Sequence, residues 1–506
     1  MSARALLNRK SRRDLRRRRA QVIAVALTVL IGIAVFLLSA SMASNLSRSY
    51  DLTYERTAFA DLWVTGGSDD MASTLAAVDG VELIERRTSA EVGVRFADRP
   101  IRTRIVGFGP ATTLNTLVVT AGSDLDPLGD GVIVEQHTAD HFGLDPGAMI
   151  DIGGLGPVEV IGIAVSPEWL WVAPSQQELV VDPDEFGIVF LPEHLAATAA
   201  PEATQLVVTV TGNDPQLAES AAARAVATGA GEVLTRATHP SNQALQGDLE
   251  GFEQLSVMFP ILFLAAAGLA TGVLLSRLIA QQRAEIGMLR ANGYTAAAIH
   301  RHYASYGVVV ALLGALPALP LGIVGGFAAT QAYTDFLGVP FASQSVEPSR
   351  WIVAIVFAAA VGGMSGALAA RRATAVDPAT AMRPGGGAVA GRRSVFERAL
   401  PGRAPTWIRM SVRNIERAPG RAVTTALGIV LALMLTMTAL VLNDTIDNIF
   451  ASQFTETDPR GLVVTVAPGA DVAQVADAVR AVDGVSVVES HLELGASLLA
   501  DGKARA

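Results

Sequence analysis

A chain of 506 residues that is 50% hydrophobic and only 17% charged is more apolar and less charged than an ordinary soluble domain. It has no cysteine, which excludes disulfides, zinc–thiolate sites and thiol nucleophiles. The net charge of −9 is unevenly spread, and the spread orders the chain across a membrane.

Residues 1–20 hold Arg4, Arg9, Lys10, Arg12, Arg13, Arg16, Arg17, Arg18 and Arg19 against one acid, Asp14. An apolar window at 21–43 follows at once. It is longer than the ~7–15-residue core of a signal peptide and no A-x-A cleavage site follows, so it is expected to stay as an anchor. A basic run in this position sets topology and touches anionic lipid; it is not read as a nucleic-acid arm.

Residues 44–254 are acid-rich and mix α with β. Leu62–Thr65, Val81–Ile84, Glu91–Phe96, Ile101–Phe108, Gly131–Glu135, Gly187–Leu191 and Leu206–Thr211 read as strands. Asp70–Val78, Pro192–Ala199 and Pro215–Ala227 read as helices. Met149–Val165, broken by Gly153, Gly154, Gly156 and Pro157, reads as a hairpin or bulged β-unit. Strand–helix alternation around a glycine-rich β-insert predicts two subdomains, in a segment large enough to bury its own core.

Further apolar windows lie at 256–280, 303–330, 351–370 and 422–442. Each is near or above the ~20 residues that cross a bilayer as a helix. None has Asp, Glu, Lys or Arg in its middle, where one would cost ~2.5–3.5 kcal/mol. The basic linker 371–421 resembles residues 1–20 in charge, and arginine clusters stay on the cytoplasmic side. That puts 1–20, 281–302 and 371–421 inside, and 44–254, 331–350 and 443–506 outside. The expected fold is a multi-pass α-helical membrane protein with five spans and an external α+β domain, in the plasma membrane with its N-terminus cytoplasmic. Gly268 with Gly272, Gly322 with Gly326, and Gly362 with Gly366 form G-x-x-x-G pairs that let helices approach closely in lipid. Pro317 and Pro320 are expected to bend the third span.

The sequence also repeats. SRRDLRRRRAQVIAVALTVLIGIAVFLL from Ser11 parallels SVRNIERAPGRAVTTALGIVLALML from Ser411, and AAVDGVELIERRTSAEVGVRFADRPIRT from Ala76 parallels RAVDGVSVVESHLELGASLLADGKARA from Arg480. The unit is a span, an external domain and three more spans. A second copy opens near residue 400 and includes the 422–442 span and a partial external domain at 443–506. The chain therefore reads as a piece of a tandem protein or half of a split gene, completed by a second-half permease or a second copy. Transporter folds are often built from such repeats.

Between the second and third spans stands QQRAEIGMLRANGYT, 281–295. Good helix formers run to Asn292, and Gly293 suits a left-handed cap. Ile286 and Leu289 share a face, with Met288 nearby, while Arg283, Glu285 and Arg290 point elsewhere, giving a short amphipathic helix at the cytoplasmic surface. On its residues alone it is equally an interfacial turn that anchors two spans.

The stretch 281–322 resembles the signature of the FtsX-like, MacB-type permeases of ABC transporters through Arg283, Glu285, Ile286, Gly287, Leu289, Arg290, Ala291 and Gly293. AARRATAVDPATAMRP, 369–384, is similar to that family's motif after the fourth span through Arg372, Asp377, Pro378, Met382 and Arg383. The resemblance implies a MacB-like external core domain. It also implies that Arg283–Gly293 is the coupling helix on which a cytoplasmic ATPase subunit docks, with ATP and Mg used by that partner.

This chain has two lysines, Lys10 and Lys503, and neither sits in G-x-x-x-x-G-K-[ST], so ATP hydrolysis of that type is expected in a partner and no cofactor on this chain. His137 and His141 are four apart beside Glu135 and Asp140, but without H-E-x-x-H they read as surface histidines at a strand–helix junction and not as metal ligands. The glycines around Ser365 do not form G-x-S-x-G. The leading function is ATP-driven movement of the external domain, either to export or extract a lipid, lipoprotein or peptide, or to transmit force to an envelope protein. A non-energised envelope scaffold would not need the 281–295 helix. A secondary transporter would call for ionisable or broken-helix sites at mid-membrane.

Overall fold

The chain's fold is described here from a computed structural model. It describes residues 13, 17, 19–97, 99–374, 405, 410, 422–423, 426–434, 436–438, 440–441, 464, 466, 471–490, 497–500 and 503–505. These divide into two compact units. One is drawn from Met1–Ser44, Gly251–Thr330 and Gln344–Ser452, the other from Asn45–Glu250, Gln331–Ser343 and Gln453–Ala506.

The first unit is helical. Among the described residues, four helices are long and apolar enough to cross a membrane: α1 (Arg19–Arg56), α6 (Pro240–Gln281), α8 (Ala296–Phe336) and α9 (Pro348–Thr374). Of the fifth predicted window, 422–442, the described residues are helical and include a shorter apolar helix, Ala426–Thr438. Small residues let the four long helices meet, with Val29, Ile33 and Leu37 against Leu264, Ala267, Ala311, Ala315, Ala354 and Ala358. Leu27, Ile261, Leu313, Val324, Val356 and Met364 are left exposed, as a lipid-facing surface requires.

The span glycines sort into contacts and non-contacts. A β-carbon at Gly362 would stand 2.5 Å from the Gly307 carbonyl oxygen, and one at Gly366 would collide with that of Tyr303, so α8 and α9 cross backbone to backbone. A β-carbon at Gly322 would stand 2.5 Å from Leu37 Cβ, and one at Gly326 3.0 Å from Ser41 Cβ, both on α1. A β-carbon at Gly268 would stand 2.9 Å from Val361 Cγ1. Gly272 departs from the expectation: a β-carbon there would meet nothing within 4 Å, so only Gly268 of that pair is a close-contact position. Gly307, Gly314 and Gly32 are close-contact positions that the G-x-x-x-G pattern missed. Helix α8 runs through Pro317 and Pro320 without interruption.

The second unit is an α+β domain. One lobe has the strand order β10 (Val233–Thr235), β1 (Leu62–Thr65), β9 (Thr204–Val210) and the first half of β2 (Val81–Phe96), all antiparallel. Helices α2 (Asp69–Ala76) and α5 (Pro215–Ala227) cover it, packing Met71, Leu75, Ala221, Ala222 and Ala225 on Leu62, Val64, Leu206 and Val208. The other lobe is a closed ring of six strands. It runs from the second half of β2 through β3 (Arg99–Phe108), β8 (Phe186–Pro192), β5 (Val132–Glu135), β7 (Gly156–Val165) and β6 (Met149–Ile152), and β6 pairs back onto β2 at Val94↔Ile152. Its interior is Val94, Phe96, Ile105, Val132, Val134, Ile150, Ile152, Val160, Val189 and Leu191, the inward half of each alternating strand. β4 (Val118–Gly122) adds to β7 outside the ring, and α3 (Gln136–Phe142) and α4 (Glu193–Ala199) complete the lobe.

The C-terminal turns of α1 belong to this domain. Asn45, Ser49, Thr53 and Thr57 form a buried stripe at a spacing of four. The hydroxyls of Ser49, Thr53 and Thr57 each donate to the carbonyl one turn back, at 2.7, 2.7 and 2.6 Å, which satisfies these three donors within the chain's own turns. Residues 331–343, the last turns of α8 and the first part of the segment leading to α9, also belong here. Leu337 and Val339 are buried, Tyr333 bonds Asp248, and Arg56 lies 4.6 Å over the Phe341 ring.

The tail carries the repeat into three dimensions. Helix α10 (Val472–Arg480) precedes Gly484 at φ +97°, as α2 precedes Gly80 at φ +89°. In the hairpin β11 (Leu498–Ala500) and β12 (Lys503–Arg505), Leu498 pairs Arg505 as Val94 pairs Ile101. Leu498 stands 404 residues after Val94, and Arg505 404 after Ile101.

Candidate functional site

The segment between α6 and α8 is a separate helix, α7 (Arg283–Ala291). Helix α6 ends at Gln281, and Gln282 forms the joint with φ −99° and ψ 15°. The joint is tied from the next helix: the Tyr303 hydroxyl donates to Gln282 Oε1 at 2.8 Å, both residues being buried. At the other end the amides of Gly293 and Tyr294 donate to the carbonyls of Arg290 and Leu289, each at 3.1 Å, with Gly293 at φ +87°. That is a glycine C-cap of the Schellman kind, and Gly293 adopts it without the Cβ strain another residue would meet. Thr295 then caps α8 by accepting from the Ala298 amide at 3.2 Å.

One face of α7 is built into the helical unit. Ile286, 2% exposed, joins a cluster with Val22, Leu275, Leu278, Ile299, Tyr303, Ala369 and Ala370, so residues of α1, α6, α8 and α9 meet around it. Gly287 is buried with it, and Leu289 is half-buried. The void beside Ile286 and Leu289 holds about 10 Å³, the room of one water at most, so this is a packed joint and not a ligand pocket. The opposite face carries Ala284, Glu285, Met288 and Ala291, all exposed, with Met288 at 58%. Glu285 in the first turn and Arg290 in the last suit the helix dipole. Met288 thus falls on the outward face.

The predicted residues are therefore brought together in part. Ile286, Gly287 and Leu289 form the inner face, Glu285 the outer, and Arg290 is half-buried at its edge. Arg283 opens the helix. Arg372 lies on α9, while Asp377, Pro378 and Arg383 lie outside the described residues. Sequence reasoning missed Gln282 and Tyr303, although an aromatic pair three apart, Tyr303 and Tyr306, marks an inward face on α8.

In the α+β domain, His137 and His141 turn to different carboxylates, Nδ1 of His137 to Glu135 at 2.7 Å and Nε2 of His141 to Asp184 at 3.0 Å. Burial alone would lower the His137 pKa, but Glu135, the Phe336 backbone and Asp140 raise it. A buried ion pair also stands out: Arg87 donates to Glu168 at 2.8 and 2.5 Å and to Gln205 at 2.9 and 2.7 Å. Burial pushes the Glu168 carboxyl up, yet Arg87 and the Trp63 indole more than offset it and hold the pKa below the ordinary value.

Four apolar helices of crossing length with an α+β domain inserted between the first and second define a multi-pass helical membrane protein of permease architecture. Residues 22–228 match the MacB-like periplasmic core domain, and residues 257–378 match the FtsX-like permease C-terminal domain. The chain belongs to the FtsX-like, MacB-type family of ABC transporter permeases. Among solved structures it is similar to the extracellular domain of the noncanonic ABC-type transporter YknZ from Gram-positive bacteria. That match has 15% identity and a TM-score of 0.23, over 33% of this chain and 91% of that one. It is also similar to the periplasmic region of MacB from Actinobacillus actinomycetemcomitans, with 11% identity and a TM-score of 0.24, over 37% of this chain and 91% of that one. No curated protein matches it.

Proposed function

We propose that this chain is a permease subunit whose helix α7 lies on the cytoplasmic side as the coupling helix for a separate ATPase, and that ATP turnover there moves the external domain. The observation that carries the reading is the two-faced construction of α7. Ile286 locks it among residues of four helices, while Glu285 and Met288 stand exposed for a partner. A short helix fixed in this way turns a push on its outer face into movement of the helices it joins, which coupling between distant sites requires. The arginine-rich N-terminus supports the orientation. The movement serves export or extraction of a lipid, lipoprotein or peptide, or transmits force to an envelope protein. A second half-permease or second copy would complete the assembly.

The test is a charge reversal, Glu285→Arg with Arg290→Glu, on the outer face and edge of α7. Co-purification with a co-expressed cytoplasmic ATPase subunit and stimulation of its turnover should both fall, with the permease still folded and inserted. Unchanged association and stimulation would refute the role of α7. Orientation is tested separately. The chain has no cysteine, so a thiol placed at Tyr294 reports its side cleanly, and labelling by an impermeant maleimide from outside intact cells would overturn the topology.

A further inference from the structure

Glu168 lies at the centre of a buried knot in the α+β domain. It is 2% exposed, sits in a single 3-10 turn (Pro167–Trp169) whose start is capped by Ser166, and accepts from the Trp63 indole at 2.5 Å and from both terminal nitrogens of Arg87. Trp63 passes the constraint on. Its ring lies 4.5 Å from that of His239, the residue before α6, and 5.0 Å from that of Phe59, just beyond α1. Phe59 stacks on Tyr54 of α1 at 4.3 Å, and the Tyr54 hydroxyl donates to Asn242 of α6 at 3.1 Å, closing the circuit. Three further ties converge there. Arg236 donates to the Phe59 carbonyl and pairs with Asp61 at 3.1 Å, the Trp171 amide donates to Ser241 at 3.0 Å, and Asn242 donates to the Arg236 carbonyl at 2.7 Å.

A buried ion pair is a poor way to gain stability, because apolar side chains of equal volume often serve as well once desolvation is counted. What it adds is direction. The bidentate guanidinium fork fixes the carboxylate plane, and the second function of Oε1, as acceptor for the indole, fixes the Trp63 ring. We infer that Glu168 is a positioning residue: through Trp63 it holds the outer root of α1 and the start of α6 on the sheet as one rigid joint, so that neither helix shifts without moving the domain. This does not depend on which ATPase, or whether any, acts on α7. If α7 is driven, the joint is where motion of the two helices becomes motion of the domain.

The test uses the full chain in lipid nanodiscs, with spin labels on cysteines introduced at exposed positions. Two pairs span the joint, Ser73→Cys with Glu55→Cys on α1 and Ser73→Cys with Gln246→Cys on α6. A control pair, Asp140→Cys with Glu159→Cys, lies within the barrel lobe. Glu168→Gln keeps the shape and removes the charge. Both joint pairs should broaden in distance distribution, roughly twofold, with the control unchanged. Broadening of all three pairs would mean general loosening, and broadening of one joint pair alone would mean no shared joint; either result overturns the inference, as would unchanged widths throughout. Should Glu168→Gln not fold, Arg87→Met with Glu168→Met keeps the volume apolar, and the same three widths decide.

Discussion

Replacing Arg87 by Met isolates the energetics of this knot. The guanidinium makes four hydrogen bonds to Glu168 and Gln205, and the pair is 7% and 2% exposed. Methionine fills the stem but leaves the carboxylate with the Trp63 indole and no counter-charge, since burial holds the neighbouring His239 neutral with its pKa down at about 4. Leaving one charge of a buried pair costs about 3–5 kcal/mol, which for a domain of this size lowers the unfolding midpoint by roughly 6 to 20 °C. The pH dependence has a definite sign. In the native chain the Glu168 pKa lies below its ordinary value, so its stabilisation is present above the unfolded pKa and is lost as pH falls through the folded one. In the variant the lone carboxyl is pushed up by burial, so its penalty grows as pH rises through the unfolded value. The gap between native and variant is therefore widest near pH 7 and narrows toward pH 4. The assay is the thermal midpoint of the detergent-solubilised full chain by near-ultraviolet circular dichroism at both pH values. A deficit of a degree or two at pH 7, or one equal at pH 7 and pH 4, would refute the reasoning.

Three further outcomes are expected. His239→Phe should remove an acid sensitivity: a histidine whose pKa falls from 6.5 to about 4 makes the native state lose up to about 3 kcal/mol as pH drops through that interval, and thermal midpoints at pH 7 and pH 5 should move apart less in the variant than in the native chain. His137 has the opposite sign, since its pKa is raised. Its contribution is fully present below the unfolded pKa and is lost as pH rises through the folded one, so His137→Gln should flatten the midpoint between pH 6 and pH 8.5. In the membrane, Gly366→Val must displace the Tyr303 backbone and should cost about 1–3 kcal/mol, whereas Gly272→Val, with nothing within 4 Å, should stay within about 0.5 kcal/mol. Denaturant midpoints in micelles separate the two, and equal losses would show that α8 and α9 do not meet at Gly366.

The features that could be read in the sequence depend on neighbours in the chain, and those that could not depend on distant partners. Apolar windows found the helices but fell short of their full lengths. α1 has 38 residues and α6 has 42, about 57 and 63 Å at ~1.5 Å per residue, well beyond a hydrocarbon core of ~30 Å. Hydropathy stopped at the lipid, whereas the helix runs on to Arg56, with the Ser49 and Thr53 hydroxyls bonded to the carbonyls of the preceding turn. The same blindness split β2. Glu85–Ala90 reads as a polar break between two strands, yet the strand is continuous because Arg87 finds Glu168 and Thr88 finds Glu193. Those partners lie 81 and 105 residues away, so no window around β2 contains the reason its charges can be buried. The α7 helix was legible because its cap, its dipole charges and its apolar face all fall within a dozen residues. That Ile286 faces Ile299 and Ala370 instead of lipid was not, because only the assembled helices decide it. The knot at Glu168 is the extreme case. One glutamate in a three-residue turn has no pattern of its own, and its meaning comes from an arginine, a tryptophan and two helix roots that the fold alone brings to it.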